Sequence, residues 1–86
     1  MTIVQLEYLL AVVNFGSFSL AAERSFVTQP SLSMQIKNLE EELGVQLFAR
    51  AKKGVVLTDN GQRLIPYIRE MVNQKEKLLI SCRVII

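Results

Sequence analysis

The stretch TQPSLSMQIKNLEEELG, residues 28–44, constrains the fold more than any other, because it marks a helix at both ends and on both faces. Thr28 can accept a hydrogen bond from an orphan N–H of a first turn, and Pro30 stands where its missing N–H matters least. Leu32, Ile36, Leu39 and Leu43 follow at steps of four, three and four, which makes one stripe that needs cover. At roughly 100° per residue, Pro30, Ser33, Met34, Lys37 and Asn38 point the other way. Gly44 ends the helix. The stretch is also divided lengthwise. Its front holds Gln29, Pro30, Ser31, Ser33, Met34 and Gln35, all uncharged, whereas its rear holds Glu40, Glu41 and Glu42.

The remaining segments read as the surfaces that cover this stripe. A helix is predicted over Thr2 to Asn14, with Leu6, Leu9, Leu10 and Val13 at helical spacing and Gly16 at its end. Ser17 or Ser19 can cap a short helix that runs to about Ser25. Its Leu20, Ala21 and Ala22 allow another helix to approach closely. In VQLFARAKKGVVLT, the apolar runs Val45–Phe48 and Val55–Leu57 flank a basic stretch closed by Gly54, which predicts a β-hairpin with Arg50, Lys52 and Lys53 near its tip. Thr58 then caps a long helix. Leu64, Ile68, Met71, Leu78, Cys82 and Ile85 form one apolar row, interrupted by Lys75. Ile65, Val72, Leu79 and Ile86 form a second row, and Pro66 predicts a bend.

The composition removes several classes. The chain of 86 residues has no histidine and one cysteine, so neither an internal disulfide nor a zinc site is expected. It shows no phosphate loop and no nucleophile–base pair, which points away from an enzyme and from any cofactor. It lacks a membrane-length apolar run and a signal-peptide pattern, so no membrane partner and a cytoplasmic location are expected. Charge is unevenly placed. Residues 1–45 hold two basic residues against five glutamates, whereas residues 46–86 hold eight basic residues against three acidic ones. Such a split fits a polyanion surface as well as it fits ordinary solvated surface.

The order helix, short helix, longer helix, basic hairpin, long helix gives the fold class: mainly α, a winged helix-turn-helix with a small β-hairpin wing and a long C-terminal linker helix. Its turn is SFVTQ. Only the first residues of a recognition helix need enter the major groove. Gln29 and Gln35 can donate to and accept from adenine, and Ser31 and Ser33 suit a base or a phosphate. The acidic rear must then lie away from the phosphates.

SFSLAAERSFVTQPSLSMQIKNLEEELGVQLFAR, followed by VVLTDNGQRLIPYIREM, closely resembles the LysR-type transcriptional regulators of bacteria. The resemblance runs from Leu6 to about Met71. It includes Ala21–Ala22, Gln29–Pro30, Ser33, Leu39–Glu40, Leu43–Gly44, Leu47–Phe48, Arg50 and Leu57–Thr58. The opening MTIVQLEYLLAV and the run FVTQPSLSMQI look most like the peroxide-sensing OxyR branch. The resemblance implies a DNA-binding domain over residues 1–58, a linker and dimerisation helix over 59–86, and a separate effector domain that is absent here.

By the same resemblance, Gln29, Pro30, Ser31 and Ser33 sit where members touch the major groove. Lys53 stands where many carry an arginine that enters the minor groove, and Met34 where arginine is common. Thr28, Gln35, Lys37, Arg50 and Lys52 complete the expected DNA contacts, and a pair between Glu40 and Arg50 is implied. The expected partners are double-stranded DNA with a roughly palindromic site and a second copy of the chain. The dimer would use Leu64, Ile68, Met71, Val72, Leu78, Leu79, Cys82 and Ile85, and a tetramer is possible in a longer protein. A helical dimerisation or protein-interaction module without specific readout is the competing reading. The chain ends at SCRVII inside an apolar helical pattern, which predicts a fragment of a longer regulator.

Overall fold

A computed structural model describes residues 1–85. Ile86, counted above in the second apolar row, lies outside the described residues. Helix α1 spans Ile3–Phe15 rather than Thr2–Asn14. Thr2 stands before the helix because its hydroxyl accepts from the Gln5 N–H at 3.1 Å while the Gln5 side chain accepts from the Thr2 N–H at 3.0 Å. This reciprocal pair satisfies two donors at the helix start. At the other end the Gly16 N–H donates to the Val12 carbonyl.

Helix α2, Phe18–Arg24, is capped by Ser17, whose hydroxyl accepts from the Leu20 N–H. Four residues, 25–28, then lead to α3, Gln29–Leu43. The turn is held by Phe26 N–H to the Glu23 carbonyl and Val27 N–H to the Ala22 carbonyl. Thr28 caps α3 and Gly44 closes it, as the composition of the stretch predicts.

The core is built where α1, α2 and α3 meet. Leu6, Leu9 and Val12 face Ala21, Ala22, Leu32, Ile36 and Leu39, all almost wholly buried. The buried row of α1 is therefore Gln5, Leu6, Leu9 and Val12, whereas Leu10 and Val13 are half-buried flanks. Burying about eight leucine, isoleucine and valine side chains, each contributing roughly 1.5–3 kcal/mol, is what orders so short a chain.

The hairpin begins later than its apolar pattern indicates. Strand β1 is Phe48–Ala51 and pairs antiparallel with β2, Gly54–Leu57, in the register Phe48↔Leu57 to Ala51↔Gly54. Val45–Leu47 is not a strand. The Leu47 side chain goes to the core, and its N–H donates to the Glu40 carboxylate at 2.6 Å. Arg50 accordingly lies within β1, opposite Val55, and only Lys52 and Lys53 make the tip.

Two contacts fix the hairpin on the body. Val55 N–H donates to the Gly16 carbonyl at 3.3 Å, and Thr58 N–H to the Leu47 carbonyl at 2.9 Å. The first demands glycine at position 54: its φ is 112°, and a Cβ there would sit 2.3 Å from the Gly16 oxygen. The Phe18 and Phe48 rings meet edge to face, 5.6 Å between centroids, and close the gap between α2 and the wing.

Helix α4 spans Asp59–Ile85 and runs through Pro66, which lies on its exposed side. Thr58 caps it through the Gly61 N–H. Its first half packs on α1. Ile68 is buried, and Leu64, Ile65 and Val72 are partly buried against the core. The Lys75 ammonium meets the Glu7 carboxylate at 2.8 Å and ends this contact. From Glu76 to Ile85 every residue is exposed. Ile68, expected at the contact with a second copy, is instead buried in the chain's own core, whereas Leu64 and Val72 are half-buried against that core.

Candidate nucleic-acid interface

The front of α3 projects from the body. Thr28, Gln29, Pro30, Ser31, Met34 and Lys37 are exposed, and Ser33 and Gln35 are half-buried. No acidic residue lies in the first turn, so the positive end of the helix dipole is left open. The side chains here are organised among themselves. Gln29 Nε2 donates to Ser33 Oγ at 2.8 Å, and Thr28 Oγ1 donates to Ser31 Oγ at 2.7 Å. Gln35 differs from its neighbours: its Oε1 accepts from Gln5 Nε2 of α1 at 3.0 Å. It is tied to the body, a link that no local pattern announces.

An open groove of about 510 Å³ runs between α3 and the wing, lined among others by Ser17, Ser19, Gln29, Ser33, Glu40 and Arg50. It is bordered on α3 by the uncharged Gln29 and Ser33 at the front and by the Glu40 carboxylate at the rear, and on β1 by the cation of Arg50. Lys52 and Lys53 stand exposed at the tip of the hairpin beyond it.

The acidic rear of α3 has structural work. Glu40 Oε2 accepts from the N–H groups of Leu47 and Phe48, holding the entry to β1. Glu42 meets the amino group of Met1. The implied pair between Glu40 and Arg50 is absent: among the described residues the ion pairs are Met1–Glu42 and Lys75–Glu7. The Glu40 carboxylate satisfies backbone donors instead, and backbone N–H groups near the core have no water as an alternative partner. Glu40 follows Gln29 by eleven residues, about 16 Å along the helix axis, so the carboxylates sit well behind the front.

The outer half of α4 is a second exposed surface, of opposite character. Met71, Leu78, Leu79, Cys82 and Ile85 are all exposed. Three further residues escaped the pattern. Tyr67 is exposed and lies one turn before Met71, beside Ile68 of the apolar row. Ile80 and Val84 are exposed on the far side, outside both rows. Phe26, in the turn, is 95% exposed at a φ of 59°. Among the described residues no helix is long and apolar enough to cross a membrane.

Two helices joined by a four-residue turn, with a hairpin beside the second, define a winged helix-turn-helix. The chain belongs to the lysR family of bacterial regulatory helix-turn-helix proteins, whose family model matches residues 3–62.

Among its relatives is a probable RuBisCO transcriptional regulator of Gracilaria tenuistipitata var. liui, 46% identical over 77% of this chain and 21% of that protein. The complex of BenM_DBD with catB site 1 DNA superposes with a TM-score of 0.92 at 36% identity, covering 99% of this chain and 96% of that one. A full-length OxyR variant from Pseudomonas aeruginosa superposes at 0.90 and 34% identity, over 98% of this chain and 28% of that one. BenM and OxyR are similar to the chain to nearly the same degree, so the resemblance to the OxyR branch is not singled out. The chain spans about a fifth to a quarter of the length of the curated relatives it matches.

Proposed function

We propose that the chain is the sequence-specific DNA-binding part of a bacterial transcription regulator. It would place the front of α3 in the major groove and the wing tip near the minor groove of a roughly palindromic site. The observation that carries this reading is the uncharged, exposed front of α3 beside a wing whose tip bears Lys52 and Lys53, with the carboxylates set behind it.

In this reading Gln29, Pro30, Ser31 and Ser33 meet base edges and phosphates, with Thr28 beside them. Met34 packs on a thymine methyl, and Lys37, Arg50, Lys52 and Lys53 neutralise phosphates. Residues 1–58 carry the contacts and 59–86 form the linker, whose outer half joins two copies antiparallel about a two-fold axis. Two such copies would hold two recognition helices at half-sites one helical turn apart. In the cytoplasm of the source cell, the longer regulator would carry its effector domain beyond this part and could assemble further as a tetramer.

The exposed apolar row of α4 alone supports the second reading, a dimerisation module without readout. A band-shift titration separates the two. A dimer contacting about 4–8 phosphates predicts log-affinity falling with log salt at about −0.9 per phosphate, with tighter binding to one selected duplex than to random DNA. A flat salt response and no preferred sequence would leave only the module.

A further inference from the structure

Gln5 lies in the first turn of α1 and is 9% exposed. Its Oε1 accepts from the Thr2 N–H at 3.0 Å, and its Nε2 donates to Gln35 Oε1 at 3.0 Å. A backbone N–H can only donate, so it dictates that the oxygen of the Gln5 amide faces Thr2 and the nitrogen faces α3. An amide nitrogen does not accept, so Gln35 must meet it with its oxygen. The Gln35 Nε2 is therefore turned away from α1, and among the described residues it has no acceptor. Gln35 follows Ser31 by about one turn, on the same flank of α3.

We infer that Gln35 meets the duplex as a hydrogen-bond donor only, and that Gln5 is the positioning residue that sets this polarity. This rests on the DNA-binding reading and refines it. A glutamine with both amide atoms free reads adenine by donating to N7 and accepting from N6. With its oxygen turned inward to Gln5, Gln35 presents only its nitrogen outward and cannot make that two-bond pair. Its partner must be an acceptor: a phosphate oxygen, or a base-edge acceptor such as guanine O6 or N7, or thymine O4.

The test is Gln5→Glu. A glutamate at this position still accepts from the Thr2 N–H, so the cap of α1 survives. It offers no donor to Gln35, whose amide then turns its nitrogen inward and its oxygen outward. The whole chain and the variant are used to select duplexes from a random library, and affinities are measured at fixed salt. The expected result is unchanged thermal unfolding and about tenfold weaker binding to the wild-type site. In a Gln35→Leu background, Gln5→Glu should have no further effect.

If the acceptor is on a base, the loss falls on one base pair and the variant selects a base that presents a donor there. If it is a phosphate, the loss is even across sequences, and one methylphosphonate substitution in the duplex removes the wild-type advantage. Should Gln5→Glu loosen α1, the wild-type side-chain amide NMR resonances carry the same test. Those of Gln35 shift on adding the selected duplex, and no shift overturns the inference. A folded Gln5→Glu chain that binds and selects as wild type, or one still weakened without Gln35, also overturns it while leaving DNA binding intact. A wild-type chain that selects no sequence removes both readings together.

Discussion

Along α4, residues 64–75 and residues 76–85 follow one apolar period, yet the first face α1 and the second face nothing within the chain. Ile68 is 5% exposed, and Leu78, ten residues later, is 63% exposed. Both are large aliphatic residues on the same helix, and periodicity alone treats them alike. An amphipathic pattern states that a face will be covered without stating by what. The inner half belongs to the core of one copy. The outer half is left open, and in the proposed dimer a second copy would cover it.

Truncating one residue in each half should have two different consequences. Ile68→Ala removes buried volume from the core, and the expected loss is about 2–5 kcal/mol of folding stability. Thermal and urea unfolding at low concentration check this. If Ile68→Ala melts like wild type, the inner half is not core.

Leu78→Ala should act on association instead. One buried leucine contributes roughly 1.5–3 kcal/mol, so removing its cover should weaken a dimer by about tenfold or more. Sedimentation over a concentration series reads this directly, and the unfolding of isolated copies should hardly move. A wild-type chain that stays monomeric at high concentration, with and without DNA, would deny the outer half its proposed role.

The smallest effect is expected at the seam. The hydrogen bond from Lys75 to Glu7 raises the lysine pKa above its ordinary value, with the charge of Glu7 adding to it and partial burial opposing it. A lysine raised in the folded state contributes stability that is present below its unfolded pKa and lost as pH rises through the raised folded value. The contribution should therefore hold at neutral pH and fade only in strong alkali. Because the pair is open to solvent, Lys75→Met should shift the melting temperature slightly. It should also extend the apolar row toward Leu78 and favour association. Weaker association in this variant would show that the ion pair, not the apolar row, sets the course of the outer helix.

Much of the fold was legible because its signals are local. Thr28, Pro30, the Leu32–Ile36–Leu39 stripe and Gly44 place α3 without reference to the rest of the chain. The first residue of β1 was not legible in the same way. Val45, Leu47 and Phe48 make an apolar run that suits a strand. Glu40, seven residues earlier than Leu47, takes the Leu47 and Phe48 N–H groups and keeps Val45–Leu47 as a connection. The same carboxylate explains why Glu40 does not reach for Arg50.

Within the proposed DNA contacts, the exposure of Gln29, Ser31, Met34 and Lys37 follows from lying off the buried stripe. That Gln35 is restrained does not follow from the pattern, because its partner Gln5 is thirty positions away. Tyr67, Ile80 and Val84 were missed for another reason. Their exposure becomes visible only once the extent of cover on α4 is known.

Caps and periodicity act within a turn or two, so the sequence places each helix to within a residue or two and marks its apolar side. How far the cover extends depends instead on how the helices lie against one another. Helix α1 has 13 residues and is about 20 Å long, whereas α4 has 27 and is about 40 Å long. A helix can shield its neighbour only along the length they share. The apolar row of α4 therefore passes from core to open surface where its contact with α1 ends, at the pair of Glu7 and Lys75, with no change in its own pattern.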